Sequence, residues 1–259
     1  MTEKEYKELE EVVRLLRKEC PWDRIQTNDS IKEATLEEAY EVVEAIDQKD
    51  YEELKKELGD LLLHVIFHSV IAEEMNKFTL AEVINLEKEK LIRRHPHVFG
   101  DVEVQDHHEV KHNWEKIKLT EGRKSIVDGV PNELPALQRA HRIQEKVAKL
   151  GFEWTTKEEA FKKIKEEIFE LKESLKNNRV DEIEDEFGDL LFSIVNFARI
   201  HGINAETALR KANRKFIRRF KFVEDKLRSD KKELKNLSID DLLSLWENSK
   251  NDENLLEND

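Results

Sequence analysis

The chain has 259 residues and a net charge of −13, with 58 Asp and Glu against 45 Lys and Arg. That acidic surplus speaks against nucleic acid as the main partner, because a phosphate backbone attracts a basic face. Seven Gly and four Pro are too few for the turns of an extensive β-sheet, whereas abundant Glu, Lys and Leu in periodic blocks favour long helices.

The opening MTEKEYKELE lacks an apolar signal core, and Cys20 is the only cysteine, so a cytoplasmic chain without an intrachain disulfide is expected. CPWDRIQTNDSI at 20–31 leads into an acidic helix, LEEAYEVVEAI at 36–46. The polar stretch around Asp50 ends it. A second helix carries KELGDLLLHVIF at 56–67, with Leu54, Leu58, Leu61, Leu62 and Val65 at helical spacing. The apolar run Leu61 to Ala72 is twelve residues long and holds His64 and His68, too short and too polar to span a bilayer, so no membrane partner is expected. KLIRRHPHVF follows at 90–99. LTEGRKSIVDGVPNELP at 119–135 holds four of the eleven Gly and Pro and reads as a linker. Beyond it come KEEIFELKESL at 165–175, ended by Asn177-Asn178, then DEFGDLLFSIVNF at 185–197 and KFIRRFKFVE at 215–224. In the first of these, Ile164, Ile168, Leu171 and Leu175 form an apolar stripe. The final NDENLLEND reads as a frayed tail.

These segments are one unit written twice. Glu38, Glu41, Glu57 and Asp60 recur 129 residues later as Glu167, Glu170, Glu186 and Asp189. The K-x-I-R-R block recurs at an offset of 125, so the copies differ by four residues in between, as one loop of different length would produce. The expected organisation is all-α: a first module over 1–118, the linker 119–135, a second module over 136–250 and the tail 251–259. Each module is expected to contain an antiparallel helical hairpin.

Glu167 and Glu170 are three apart and share a helix face; Glu186 and Asp189 do the same on the next helix. Folding the hairpin lets the two pairs meet. Single E-x-x-E pairs are common on solvated helices, but two pairs repeated at one fixed gap are not expected of surface drift. Converging carboxylates repel unless a cation lies between them. An all-oxygen donor set suits magnesium, with manganese as a substitute, and magnesium accounts for both copies whereas a Glu/Asp/His zinc site would account for only one. His64 and His68 continue the Glu57/Asp60 line in the first module alone, where the second has Ser193 and Phe197.

Further cations at helical spacing could hold an anionic ligand beside the metal. Lys215 and Arg219 share one helix face, and Lys90 and Arg94 are their counterparts. Trp246 and Lys250 are four apart: the indole either stacks on a base or packs among Leu242, Leu243 and Leu245. Asn196 lies two turns beyond Asp189 on nearly the same line, where the first module has Phe67, and is a candidate for a sugar or base contact. These features favour the second module as the main catalytic unit; the first, whose acidic set is complete, is left as active, weakly active or a dimerisation half.

E-E-x-x-E followed after a gap by E-x-x-D resembles the pattern of the MazG nucleotide pyrophosphohydrolases. So do CPWDRIQTNDSI, RRHPHVFGD at 93–101, NWEKIK at 113–118, LPALQRAHRIQEK and GFEW at 151–154. The resemblance covers nearly the whole chain and the two-module form of the family. It implies magnesium-dependent hydrolysis of ribo- and deoxyribonucleoside triphosphates such as ATP. Water would attack the α-phosphorus to give a monophosphate and pyrophosphate. It implies metal ligation by Glu38, Glu41, Glu57, Asp60, Glu167, Glu170, Glu186 and Asp189, with Glu166 or Glu167 as general base. It adds Lys163 and Lys118 as phosphate contacts, tips Trp246 towards substrate, and implies a homodimer or higher oligomer whose subunits complete a four-helix arrangement. The rival expectations are a narrow dUTPase or dCTPase of the same superfamily and a non-catalytic helical adaptor.

Overall fold

Capping chemistry and apolar periodicity divide the chain into helices alone: among the described residues of the computed structural model there are ten α-helices, one 3-10 turn and no strand. The structure describes residues 2–106, 109–110, 113–114, 117, 125–177, 179–230 and 237–250. It divides into two compact units, 1–121 and 122–259.

The first unit runs through α1 (Thr2–Glu19), a 3-10 turn (Asp23–Ile25), α2 (Lys32–Gln48), α3 (Tyr51–Glu74), α4 (Leu80–Arg94) and the short α5 (Pro96–Phe99). Only Lys49 and Asp50 separate α2 from α3. Lys49 adopts the left-handed conformation (φ 58°), and the Asp50 carboxylate accepts from the Glu52 and Glu53 amides at 3.0 Å each. A left-handed C-cap followed at once by an Asp N-cap turns the chain sharply and pairs α2 against α3 as a hairpin. Thr79 and Glu82 form a reciprocal capping box at the start of α4. Thr79→Ala is expected to lower the stability of this unit by about 1 kcal/mol, measured by denaturant unfolding.

The core of this unit joins Ile66, Phe67, Val70 and Ile71 of α3 to Val13 of α1, Ile31 and Leu80. It lies further along α3 than the predicted stripe: Leu58, Leu62 and Val65 are 50, 39 and 44% exposed. The helix carries more apolar surface than this unit covers. Arg17 holds the loop after α1. Its buried guanidinium donates to the carbonyls of Asp23 and Gln26 and pairs with Glu74 on α3. The CPWDRIQ segment is thereby folded back onto its own hairpin.

The second unit contains α6 (Ala136–Ala148), α7 (Lys157–Asn177), α8 (Val180–Ile200), α9 (Ala205–Ser229) and α10 (Ile239–Lys250). Helices α7 and α8 repeat the α2/α3 hairpin, and α6 packs across α8 and α9. The buried Lys146 ammonium donates to the carbonyls of Ile126 and Asp128 at 2.9 Å each, fastening that stretch to α6. Helix α3 has 24 residues and α8 has 21, and the turn after α3 is one residue longer, which accounts for the four-residue difference between the copies. Ile164 and Leu171 of the predicted α7 stripe are buried, whereas Ile168 and Leu175 are 38 and 52% exposed. The tail 251–259 lies outside the described residues.

Candidate active site

The hairpin geometry brings three of the four repeated acids together in each unit. Carboxylate oxygens of Glu38, Glu41 and Glu57 lie within 4.8 Å of one another, as do those of Glu167, Glu186 and Asp189. The fourth member of each set stands alongside. The Asp60 charge raises the pKa of Glu38, and Glu170 is hydrogen-bonded to Glu167 and feels the charge of Glu186. The two clusters therefore gather different triplets of the same repeat, and they bury different members: Glu57 in the first unit, Glu167 in the second.

The electrostatics match that crowding. Burial, then the hydrogen bond to Glu53 and the Glu41 charge, push the Glu57 carboxyl up to about 7. Glu38 is raised by burial and by Glu41 and Asp60, and Glu170 by burial and by Glu167. Acids that resist ionising together, with only oxygen donors and a shared centre, fit a hard divalent cation.

In the second unit the cluster opens into a cavity of about 490 Å³. Lys163, Glu167 and Asp189 line it together with Phe152, Glu153, Trp154, Phe192, Ser193 and Asn196. Gly151, at φ +84°, reverses the chain after α6 and carries Phe152–Trp154 to the cavity wall. The Lys163 ammonium bridges both candidate bases, 2.6 Å from Glu166 and 2.8 Å from Glu167, and those bonds raise its pKa. Asn196 is held by Arg199, which donates to its Oδ1 at 2.8 Å and to Glu153 at 2.6 Å.

The first unit fills the corresponding positions. Phe67, at the Asn196 position, is buried with the Arg17 guanidinium 5.6 Å from its ring centroid. His64 and His68, at the Ser193 and Phe197 positions, each lie 2.8 Å from the Thr35 hydroxyl. His68 also meets Asn28 at 2.8 Å, and His64 stands 4.0 Å from Glu38.

The remaining described candidates do not line this cavity. Lys215 and Arg219 lie on α9 and are not among the residues lining the cavity. Trp246 packs on Phe216, ring centroids 5.1 Å apart, and Lys250 pairs with Glu247 at 2.5 Å. Lys90 pairs with Glu87, and Arg94 ends α4 half-buried. Lys118 lies outside the described residues. Arg199 and Glu153 were not singled out by the sequence. The signal that could have found Arg199 is its i, i+3 spacing from Asn196; Glu153 is 46 residues from Arg199 and only the fold joins them.

Comparison with known proteins places this geometry in context. Residues 26–99 and 155–223 each match the MazG nucleotide pyrophosphohydrolase domain, spanning both hairpins. The chain is 47% identical to the nucleoside triphosphate pyrophosphohydrolase/pyrophosphatase MazG of Thermotoga maritima, over 95% of each chain. It is 42% identical to the nucleoside triphosphate pyrophosphohydrolase of Escherichia coli K12, over 90% of this chain and 91% of that one. A nucleoside triphosphate pyrophosphohydrolase of Mycobacterium tuberculosis is 37% identical over 52% of this chain and 42% of its own. Two domain matches on the two acidic hairpins, with relatives similar from end to end, establish that the chain belongs to the MazG nucleotide pyrophosphohydrolase family.

Proposed function

We propose that this nucleoside triphosphate pyrophosphohydrolase works with magnesium, that it accepts many ribo- and deoxyribonucleoside triphosphates, and that its second unit is the main catalytic one. The chain hydrolyses nucleoside triphosphates to the monophosphate and pyrophosphate, the activity named for its end-to-end relatives. The observation that carries the finer reading is the cavity that joins Glu167 and Asp189 to Asn196, in the unit whose counterpart positions hold Phe67 and His64.

Glu167, Glu186 and Asp189, with Glu170 alongside, would hold the metal there, as Glu38, Glu41, Glu57 and Asp60 would in the first unit. A magnesium ion held by these carboxylates would neutralise phosphate charge and lower the pKa of the attacking water. Glu166 or Glu167 takes the proton as the water oxygen bonds to the α-phosphorus and the bond to the pyrophosphate oxygen breaks. Lys163 already spans both carboxylates and supplies a cation to the phosphates. Lys215, Arg219, Trp246, Lys250, Lys118, Lys90 and Arg94 are assigned to substrate binding by spacing and resemblance; a second subunit or bound nucleotide would be needed to bring the more distant ones in.

Exposed apolar residues support a homo-oligomer. Leu58, Leu62 and Val65 on α3 and Phe187, Leu191 and Ile194 on α8 occupy the same repeat positions, and all six are at least 39% exposed. Two matching stripes of that kind favour burial against another helical hairpin. No helix among the described residues is long and apolar enough to cross a membrane. With one cysteine, the reducing cytoplasm is the compartment we assign.

The test is pyrophosphate release from a panel of ribo- and deoxyribonucleoside triphosphates with magnesium, manganese or excess chelator. Turnover of several bases, lost with chelator and restored by magnesium, is expected. Cleavage of dUTP or dCTP alone would overturn the broad specificity, and full activity in chelator would overturn the metal requirement.

A further inference from the structure

Resting on the activity proposed above, we infer that Asn196 reads the nucleobase, and that Arg199 and Glu153 set the polarity of its amide. The cavity wall joins the ionic side chains Lys163, Glu167 and Asp189 to Phe152, Trp154 and Asn196, with Glu153 among them. Asn196 follows Asp189 by seven residues on α8, an axial rise of about 10.5 Å. A nucleotide held by its α-phosphate at the acids reaches through its ribose to Asn196 with its base.

The amide cannot face either way. Arg199 donates to Asn196 Oδ1 at 2.8 Å and to Glu153 Oε1 at 2.6 Å, and its side chain is only 12% exposed. A guanidinium has no acceptor, so the amide oxygen must face it and the Nδ2 donors turn away. That leaves a fixed donor on a residue of the cavity wall, which Trp154 and Phe152 also line and where they supply faces for stacking. Its complement is an acceptor atom on the edge of a base.

The device belongs to the second unit alone. Phe67 stands at the Asn196 position in the first, 7% exposed within the core, and Thr35 ties down the histidines at the Ser193 and Phe197 positions. The repeat keeps its acids in both halves, but only one half has a donor placed where a base would lie.

The experiment compares nucleoside triphosphates with ribose 5-triphosphate, which carries the same phosphates and no base. Wild type, Asn196→Ala, Asn196→Asp, Arg199→Met and Arg199→Lys are assayed with both classes, and melting temperatures are recorded. Asn196→Ala is expected to lose about tenfold or more in kcat/KM on nucleotides, mainly through KM, with ribose 5-triphosphate unchanged. Asn196→Asp replaces the donor with an acceptor and is expected to lose more, to an extent that differs among bases. Arg199→Met reproduces the Asn196→Ala pattern and Arg199→Lys restores most of the activity. Equal losses on both substrate classes, or no loss on nucleotides, would overturn base reading. Should Arg199→Met fail to fold, Asn196→Ala decides alone. Wild-type protein inert towards every substrate would instead overturn the activity reading. Calorimetric titration with the α,β-methylene analogues of both substrates would then read the same contrast as affinity, and equal losses there would overturn base reading.

Discussion

Glu167→Gln is expected to cut pyrophosphate release by at least about 100-fold, whereas Glu38→Gln leaves most of it in place. The substitution is isosteric, so it removes charge without opening a cavity. Glu167 is 3% exposed, lies within 4.8 Å of Glu186 and Asp189, bonds Lys163 at 2.8 Å and lines the cavity. An amide there weakens the metal position, releases Lys163 from one of its two partners and removes one of the two candidate bases. Glu38 is the same residue of the repeat, yet it sits in a half where Phe67 and His64 fill the Asn196 and Ser193 positions. Kinetics of both variants with saturating magnesium, beside melting temperatures, provide the check. A collapse of activity in Glu38→Gln with near-normal rates in Glu167→Gln would reverse the assignment of the units.

The helices themselves were legible because their signals are local. Asp50, in the polar stretch that ends the first acidic helix, caps α3; the repeat offset suggested one loop of different length, whereas three of the four extra residues lengthen α3 itself and one lengthens its turn. The acid clusters were legible because i, i+3 spacing fixes a helix face. Which three acids meet was not, since that depends on how each helix is rotated about its axis; Glu41 joins one cluster where Asp189 joins the other. The same limit explains α3. Periodicity marked Leu58, Leu62 and Val65 as apolar, but burial fell to Ile66, Phe67, Val70 and Ile71 because Val13, Ile31 and Leu80 arrive there from other segments. Trp246 shows the limit for single residues: its spacing from Lys250 was compatible with either substrate or packing, and within this chain the indole lies on Phe216.

Magnesium is expected to raise the melting temperature more at about pH 8 than at about pH 5.5, the opposite of what the metal-free clusters do alone. Glu57 titrates at about 7 in the folded chain, against an ordinary 4.5, because burial and then Glu53 and Glu41 disfavour its charge. Between those values the metal-free native state holds more protons than the unfolded chain. Its stability therefore falls as pH rises through that window. Glu38 and Glu170 are shifted in the same direction by burial and neighbouring acids, so both units follow one sign. A divalent cation reverses it, because the carboxyls must release the same protons to become ligands. Where one proton is displaced, apparent metal affinity rises by up to about tenfold per pH unit below the group's pKa. Because the two units can melt separately, the decisive comparison is with Glu57→Gln, which holds the group neutral at every pH. That variant is expected to flatten the metal-free pH slope of the first unit to the part that Glu38 contributes, and to lose most of its magnesium response. A magnesium gain that shrinks as pH rises would mean that these carboxyls are not linked to a metal, and an unchanged metal-free slope in Glu57→Gln would mean that Glu57 is not the group that sets it.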